Sequence, residues 1–205
     1  MGDDLELAAA WRRGDTEAGE ELFSRHFDAI HRFFRNKFRC GVDDLVQQTF
    51  VALVEGRDRL AEVRHFRGYL FGIAHNVMRE QLRSLGRQRH FDPVNTSIMA
   101  LDPGPSTINS QRAEQQLLLQ ALRSIPLAHQ VALELTYWEG LNAAQIAAIV
   151  GVPHGTMRNR LRRARQLLEQ AITTLDESPA LRESTSAGLE TWARHVRAEI
   201  DAVQG

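Results

Sequence analysis

One stretch of the chain carries side chains that can hydrogen-bond to the bases and phosphates of DNA. Between His154 and Arg165 the sequence has five arginines and no acidic residue. If this stretch is a helix, its apolar residues share one face, and Arg158, Asn159 and Arg162 fall on or near the opposite face. Arginine donates to guanine edges, and asparagine bonds adenine through two hydrogen bonds. The spacing therefore predicts a helix that lies in the major groove of a duplex.

The residues around this stretch predict a complete helix-turn-helix. Asn142 can cap a short first helix, and Gly151 can end it because glycine accepts a positive φ. Thr156 lies near the start of the second helix, where free backbone N–H groups help to bind phosphate. Arg163 and Arg165 are placed nearer the phosphates than the bases. The alternative is a structural hairpin with a solvated basic face, which is weakened because surface helices usually mix charges for i,i+4 pairing.

Charge is segregated along the rest of the chain. Residues 57–91 include eight arginines and three acidic residues, whereas residues 1–22 include seven acidic residues and two arginines. The formal net charge of -1 is therefore uninformative, because phosphate binding depends on local fields. Each arginine-rich face could be merely solvated, but two such faces in one chain favour a nucleic-acid partner.

Apolar residues recur at helical spacing, and no stretch alternates with the two-residue period of a strand. With 43% apolar and 25% charged residues the composition is that of a globular protein. We predict an all-α chain of two small helical domains joined by a flexible linker, followed by a short amphipathic helix. The predicted boundaries are 1–88 for the first domain, 89–111 for the linker, 112–175 for the second domain and 176–205 for the C-terminal extension.

Several classes of protein are excluded by the same sequence. No apolar run approaches the roughly 20 residues needed to span a bilayer, and the N-terminus lacks an apolar signal core, so we expect a cytoplasmic protein. The single cysteine, Cys40, excludes an internal disulfide. We find no catalytic constellation, phosphate-cradling glycine loop or metal-ligand pattern. We therefore expect no enzymatic activity, and no cofactor, metal, membrane or small-molecule substrate.

Three stretches resemble the bacterial RNA polymerase sigma factors of the extracytoplasmic-function (ECF) type. The fourth conserved region of that family is resembled by Glu139-Gly140-Leu141, Gln145-Ile146-Ala147, Gly151-Val152-Pro153 and Gly155–Arg165. The family's "DLVQETF" helix is resembled by Asp43–Phe50, and its promoter-melting helix by Phe66–Asn76. The order and spacing of the three stretches are more specific than any one of them.

The resemblance implies a role for each stretch. The Asp43–Phe50 helix would bind the β′ coiled coil of core polymerase through Asp44, Leu45, Gln47, Gln48 and Phe50. The minus-ten element would be opened and read by Arg64, His65, Phe66, Arg67, Asn76, Arg79 and Arg83. The minus-thirty-five element would be bound by Thr156, Arg158, Asn159, Arg162, Arg163 and Arg165. The implied partners are core RNA polymerase, through its β′ coiled coil and β flap, and promoter DNA, with an anti-sigma factor left open.

The chain departs from the family pattern in ways that bear on affinity more than on class. It has Tyr69 where the family usually has Trp, and Gln48 and Gln145 where the family usually has Glu. These exchanges keep shape and hydrogen bonding. The longer third domain of housekeeping sigma factors is absent, because residues 92–110 supply only a flexible connector, and this absence selects the ECF type.

Two other classes of function remain open from the sequence. A stand-alone helix-turn-helix regulator would bind duplex DNA without polymerase, but it gives no reason for the Asp43–Phe50 helix. A helical adaptor that binds only protein would show no affinity for nucleic acid, which the two arginine faces disfavour. Dependence of DNA binding on core polymerase separates the sigma factor from the regulator.

The C-terminal extension has one apolar stripe at three- and four-residue steps, formed by Leu189, Trp192, Val196, Ile200 and Val203. A helix of about 15 residues is marginal alone in water, so we expect it to dock on a surface. It could enlarge the core of its own domain, or it could be regulatory, covering a polymerase- or DNA-binding surface or docking a partner. Deleting residues 177–205 separates these hypotheses: regulation predicts higher transcription, whereas simple packing predicts lower thermal stability.

Overall fold

The computed structural model describes residues 3–86, 92–101 and 113–175. These residues form α-helices joined by short turns, with no β-strand among them, which confirms the all-α prediction. The chain divides into two compact units. The first unit consists of Met1–Phe34 and Cys40–Arg89, and the second of Arg35–Arg39 and His90–Gly205.

The first unit is built on four α-helices and one 3₁₀ helix. The α-helices are α1 (Asp4–Arg12), α2 (Thr16–Arg35), α3 (Val42–Glu55) and α4 (Phe66–Gly86), and the 3₁₀ helix is Arg57–Glu62, in a stretch that the sequence predicts as a connector. The core of the unit is apolar and aromatic, as the helical spacing predicts; its largest fully buried side chains include Leu22, Ile30, Phe34, Leu53, Phe66, Leu70, Phe71 and Met78.

The N-cap of helix α3 lies earlier in the chain than aspartate preferences predict. Aspartate is a common N-cap residue, so the sequence predicts that Asp43 caps α3; the N-cap is Gly41, whose φ of 72° lies in the left-handed region. Asp43 instead lies in the first turn, together with Asp44. Carboxylates in this turn still stabilise the helix, because they face the positive end of its dipole.

Helix α1 packs closely on α2 through two contacts. Trp11 lies against Gly19, where a Cβ would come within 2.5 Å of the indole Cδ1, so only glycine fits there. At the other contact, Arg25 Nη1 donates to Asp4 Oδ1 at 2.7 Å, and His26 Nε2 lies 2.8 Å from Asp4 Oδ2. Burial alone would raise the pKa of Asp4, but the hydrogen bonds and charges of His26 and Arg25 outweigh it and lower this pKa to about 2.

Replacing Asp4 by Asn is expected to destabilise the first unit at neutral pH but not in strong acid. The folded-state pKa lies below the ordinary value of 3.8, so the stabilisation is present above pH 3.8 and is lost as the pH falls towards 2. After allowance for solvent screening, we expect the variant to lose about 1 kcal/mol of unfolding free energy at pH 6. Urea unfolding of both proteins at pH 6 and near pH 2 measures this loss. The exposed Asp28→Asn on α2 is the control, and an equal deficit at both pH values would contradict the assignment.

The described residues of the second unit form five α-helices. They are α5 (Ile98–Leu101), α6 (Ala113–Ser124), α7 (Leu127–Tyr137), α8 (Ala143–Val150) and α9 (His154–Leu175). Leucines from α6, α7 and α9 pack around Trp138, which is 4% exposed. Helices α7, α8 and α9 pack against one another, so the two helices of the predicted helix-turn-helix rest on a third.

The segment before α6 is not a bare connector. Residues 92–101 fold onto the start of α7: Thr96 O accepts from Leu127 N at 3.0 Å, and Pro93 O accepts from Ala128 N at 2.9 Å. Ile98, at the start of α5, is 2% exposed. Residues 92–101 lie within the linker predicted over 89–111, and here they have fixed contacts, because their backbone carbonyls cap α7 and an isoleucine is buried. The boundaries of the linker stay a prediction.

Arg35–Arg39 also belongs to the second unit and contributes a buried ion pair. The Lys37 ammonium pairs with the Glu134 carboxylate, and the two side chains are 0% and 2% exposed. Glu134 Oε1 also accepts from Gln130 Nε2 at 2.9 Å, and Asn36 O accepts from Arg123 at 3.4 Å. Burial lowers the pKa of Lys37, which the charge of Glu134 opposes. No feature of the sequence analysis singled out this network.

The C-terminal extension predicted over 176–205, with its amphipathic stripe, lies outside the described residues. Among the described helices, none is long and apolar enough to cross a membrane.

Candidate nucleic-acid and protein interfaces

The helix-turn-helix has the caps that the sequence predicts. Asn142 Oδ1 accepts from the backbone N–H groups of Ala144 and Gln145, both at 3.0 Å. The Gln145 side chain returns the bond to Asn142 N at 2.8 Å, which completes a capping box. Gly151 ends α8 with φ 72°, as predicted. The turn into α9 is therefore fixed by local bonds.

Helix α9 presents a basic face opposite its buried stripe. The stripe consists of Met157, Leu161, Ala164, Leu168 and Ile172. The residues predicted to bind DNA are all exposed, namely Thr156, Arg158, Asn159, Arg162, Arg163 and Arg165. Within the described part of the chain, Arg158, Asn159 and Arg162 have no side-chain hydrogen bond or ion pair, so their donors are free to meet a ligand.

Two of the predicted phosphate contacts have partners in the chain. Arg165 Nε donates to the Tyr137 hydroxyl at 2.9 Å, and its guanidinium lies 5.8 Å from the centre of that ring. Arg163 Nη1 donates to Gln166 Oε1 at 3.4 Å. Both arginines keep further N–H groups for a phosphate, because a guanidinium has five.

Two residues where α7 packs against α9 were not singled out from the sequence. Arg160 is half-buried on the flank of the helix, and burial lowers its pKa. His129 on α7 is also half-buried, with a pKa lowered by burial and then by the charges of Arg160 and Arg163. The run of arginines in the sequence could have suggested Arg160, but nothing pointed to His129.

The outer face of α3 gathers most of the residues predicted to bind polymerase. Asp44, Gln47 and Gln48 are exposed. Leu45 is 2% exposed: it packs in the core and supports its neighbours, and its direct contact with a partner stays a prediction. Phe50 is partly buried, and its ring lies 5.0 Å from that of Phe23.

This face is more apolar than the sequence suggests. Val51 and Val54 on α3 are each 48% exposed, and Phe27 on α2 is 46% exposed although its spacing assigns it to the core. Phe27 stacks on Phe50, with ring planes 6° apart and centroids 6.3 Å apart. Apolar groups edged by Asp44 and Gln47 have the composition of a protein-binding surface.

The segment predicted to read the minus-ten element is only partly exposed. Arg64 and His65 are exposed, and Arg67 is partly buried. Phe66 is 2% exposed, and its ring lies 5.3 Å from that of the buried His26. Phe66 thus packs in the core, and its role at the minus-ten element stays a prediction, whereas the His65 ring is exposed in this segment.

Helix α4 carries the rest of the predicted minus-ten residues on one surface. Asn76, Arg79 and Arg83 are exposed, and their spacing of three and four residues places them on one side of the helix. Arg83 makes an exposed ion pair with Glu80 at 3.3 Å, which contributes little to stability and leaves the cation accessible. Among the described residues, no cluster of histidine, cysteine and acidic side chains is arranged to hold a metal ion.

Comparisons with known proteins agree on one family. A family model for Sigma-70 region 2 matches residues 22–88, and one for Sigma-70, region 4 matches residues 115–168. RNA polymerase sigma factor CarQ of Myxococcus xanthus is 30% identical over 81% of this chain and 95% of its own length. ECF RNA polymerase sigma factor SigE of Mycolicibacterium smegmatis is 30% identical over 75% of this chain and 61% of its own length.

A solved structure supports the same assignment. CnrH, in complex with the cytosolic domain of CnrY, superposes with a TM-score of 0.61 at 25% identity. The match covers 85% of this chain and 99% of CnrH. One explanation accounts for the two helical units, the capped helix-turn-helix and these similarities: the chain belongs to the ECF family of RNA polymerase sigma factors.

Proposed function

We propose that the two units divide the work of a sigma factor between them. A sigma factor binds core RNA polymerase and directs transcription initiation to promoters, recognising their minus-ten and minus-thirty-five elements. In this division the first unit anchors on polymerase and acts at the minus-ten element, and the second unit reads the minus-thirty-five element. The observation that carries the proposal is the free basic face of α9, opposite a buried stripe, in the same chain as the polar and apolar face of α3.

The outer face of α3 is the proposed anchor on the β′ coiled coil. Asp44, Gln47 and Gln48 supply hydrogen-bonding groups, and Val51 and Val54 supply apolar area that a partner helix can cover. A patch of this kind gains affinity from its apolar centre and specificity from its polar edge. Leu45 supports the face from beneath and has no direct contact in this scheme.

A pull-down of purified bacterial core polymerase tests the anchor. The double variant Asp44→Ala/Gln48→Ala is expected to retain about tenfold less polymerase than the wild type, because it loses two polar contacts at the edge of the patch. Glu17→Ala/Glu20→Ala removes exposed groups from α2 and serves as the matched control. Retention by the wild type and the control, but not by the α3 variant, supports the proposal.

The opposite outcome is equally informative. If the wild type retains no core polymerase, even after removal of residues 177–205, the anchor is wrong and a stand-alone regulator becomes the better account. If both variants bind like the wild type, the anchor lies elsewhere than Asp44 and Gln48.

At the minus-ten element we assign the contacts to exposed groups only. His65 is placed to stack on an unpaired base, and Arg64 with the α4 surface of Asn76, Arg79 and Arg83 is placed to hold the strand by its phosphates. Phe66 sets the position of this segment from within the core. In the second unit, Arg158, Asn159 and Arg162 read bases, and Thr156, Arg163 and Arg165 bind phosphates.

Three further points belong to the proposal. The chain acts as a specificity subunit and catalyses no reaction of its own. It works in the cytoplasm, where its polymerase partner transcribes. An anti-sigma factor holds it inactive, by analogy with the solved complex of the sigma factor RpoE with the anti-sigma factor NepR from Bartonella quintana.

A further inference from the structure

A basic cluster lies where α7 packs against α9. His129 stands on α7, and Arg160 and Arg163 stand on α9 close enough to act electrostatically on the imidazole. His129 and Arg160 are half-buried, and Arg163 is exposed. Within residues 3–86, 92–101 and 113–175, no carboxylate pairs with any of the three. Among the described residues, no carboxylate therefore neutralises the positive charge of the two arginines.

The cluster has hydrogen-bonding capacity that the described chain leaves unused. Arg160 is half-buried and makes no hydrogen bond or ion pair with any described residue. His129 Nδ1 is buried without a hydrogen-bond partner, so a ligand can reach this half-buried imidazole only through the rest of the ring. A partly desolvated guanidinium without an acceptor is well suited to bind an anion. Guanidinium groups bind phosphate through paired N–H bonds, which makes phosphate the best match.

The position of the cluster indicates which phosphate of the DNA backbone it would bind. Thr156, Arg160 and Arg163 follow one another at steps of four and three residues, so they share one side of α9. Arg158 and Arg162 lie towards the other side of the exposed face. A DNA strand that borders the groove entered by α9 would pass along the first side, where His129 meets it from α7.

We propose that His129, Arg160 and Arg163 form a binding site for one DNA backbone phosphate beside the recognition helix, and that His129 takes up a proton when the phosphate binds. The proposal rests on the assignment of α9 to promoter DNA, and it adds two residues, His129 and Arg160, that this assignment does not contain.

The proton uptake follows from the surroundings of His129. Burial, and then the charges of Arg160 and Arg163, lower its pKa below the ordinary value of 6.5, which favours the neutral imidazole in the free protein. A phosphate at the centre of the cluster offsets both arginines and favours the imidazolium. Asp92, in the turn packed on the start of α7, has its carboxylate bonded within that turn, and Glu134 on α7 is engaged by buried partners.

A scan of the DNA backbone tests the site in the holoenzyme, the full chain assembled with core polymerase. The probe is a duplex with the minus-thirty-five element that this holoenzyme selects in vitro, in which single phosphates are replaced by uncharged methylphosphonates. One position is expected to weaken wild-type binding by about tenfold and to leave Arg160→Gln unaffected, because the variant has already lost that contact. Arg160→Gln should also reduce the slope of log affinity against log salt by about one.

The dependence on pH tests His129 itself. Wild-type affinity should rise as the pH falls from 7.5 to 6, by less than tenfold per pH unit, because the complex binds one more proton than its separate parts. His129→Gln should flatten this rise. His154→Gln, at the start of the same recognition helix, is measured beside it so that the two histidines are separated.

Controls distinguish failure of the site from failure of the proposed function. Arg13→Gln removes one exposed charge from the C-cap of α1 and should bind as the wild type does, and Arg160→Lys should recover part of the lost affinity. If Arg160→Gln and His129→Gln keep the wild-type scan, salt slope and pH profile while the holoenzyme binds its promoter, the site is wrong and the function stands. If the holoenzyme itself does not form, the proposed function fails first. If His129→Gln fails to fold, Arg163→Gln takes its place as the second variant.

Discussion

Replacing Glu134 by Gln is expected to lower the free energy of unfolding of the second unit by roughly 3–5 kcal/mol. The amide keeps the size of the side chain but removes its charge, which leaves the ammonium of Lys37 buried without its paired carboxylate. Removing the main partner of a buried charge is among the largest single-residue effects in proteins, although the charge of Glu139 also acts on Lys37. Hydrogen exchange of the α7 amides in increasing urea measures the stability of this unit directly.

The deficit of Glu134→Gln should also depend on pH. Burial already lowers the pKa of Lys37, and loss of the carboxylate lowers it further, so the folded variant holds a proton less tightly than the unfolded chain. Stability then increases with pH, and the deficit should shrink as the pH rises towards 10.

Two other variants serve as controls for this prediction. Lys37→Met/Glu134→Leu removes both charges and should recover most of the loss, because apolar side chains of similar size replace buried ion pairs well. Glu80→Gln breaks the exposed pair with Arg83 and should change the stability of its own unit by less than about 0.5 kcal/mol. If Glu134→Gln costs no more than this control, the buried pair is not stabilising the unit.

The helix-turn-helix was predicted almost completely because its signals are local. Asn142 and Gly151 fix the ends of α8 through bonds within a few residues, and the apolar stripe of α9 follows directly from helical spacing. The all-α fold has the same origin. Such features depend on residues that are close in the sequence, so they can be predicted without knowledge of the tertiary structure.

Exposure was predicted less well because it depends on contacts that are distant in the chain. Leu45 and Phe66 lie within stretches that resemble binding motifs, yet both are buried, since a motif mixes residues that touch a partner with residues that support them. Phe27 has the spacing of a core residue but lies at the edge of the apolar face of α2, where it is 46% exposed. The pair of Lys37 and Glu134 spans 97 positions in the sequence and has no local signal at all.

Replacing Arg158 or Arg162 by Ala is expected to cost about 1–3 kcal/mol of binding to the preferred minus-thirty-five sequence. Both guanidinium groups are exposed and make no side-chain hydrogen bond or ion pair within the described residues, so in each variant the whole bidentate contact to a base edge is lost. Holoenzyme affinity for the selected duplex and for its single-base variants measures this, because each variant should lose discrimination at one position only. Arg163→Ala is the control for a phosphate contact, and it should weaken binding to every sequence alike. A uniform loss for Arg158→Ala or Arg162→Ala would move that arginine from the bases to the backbone.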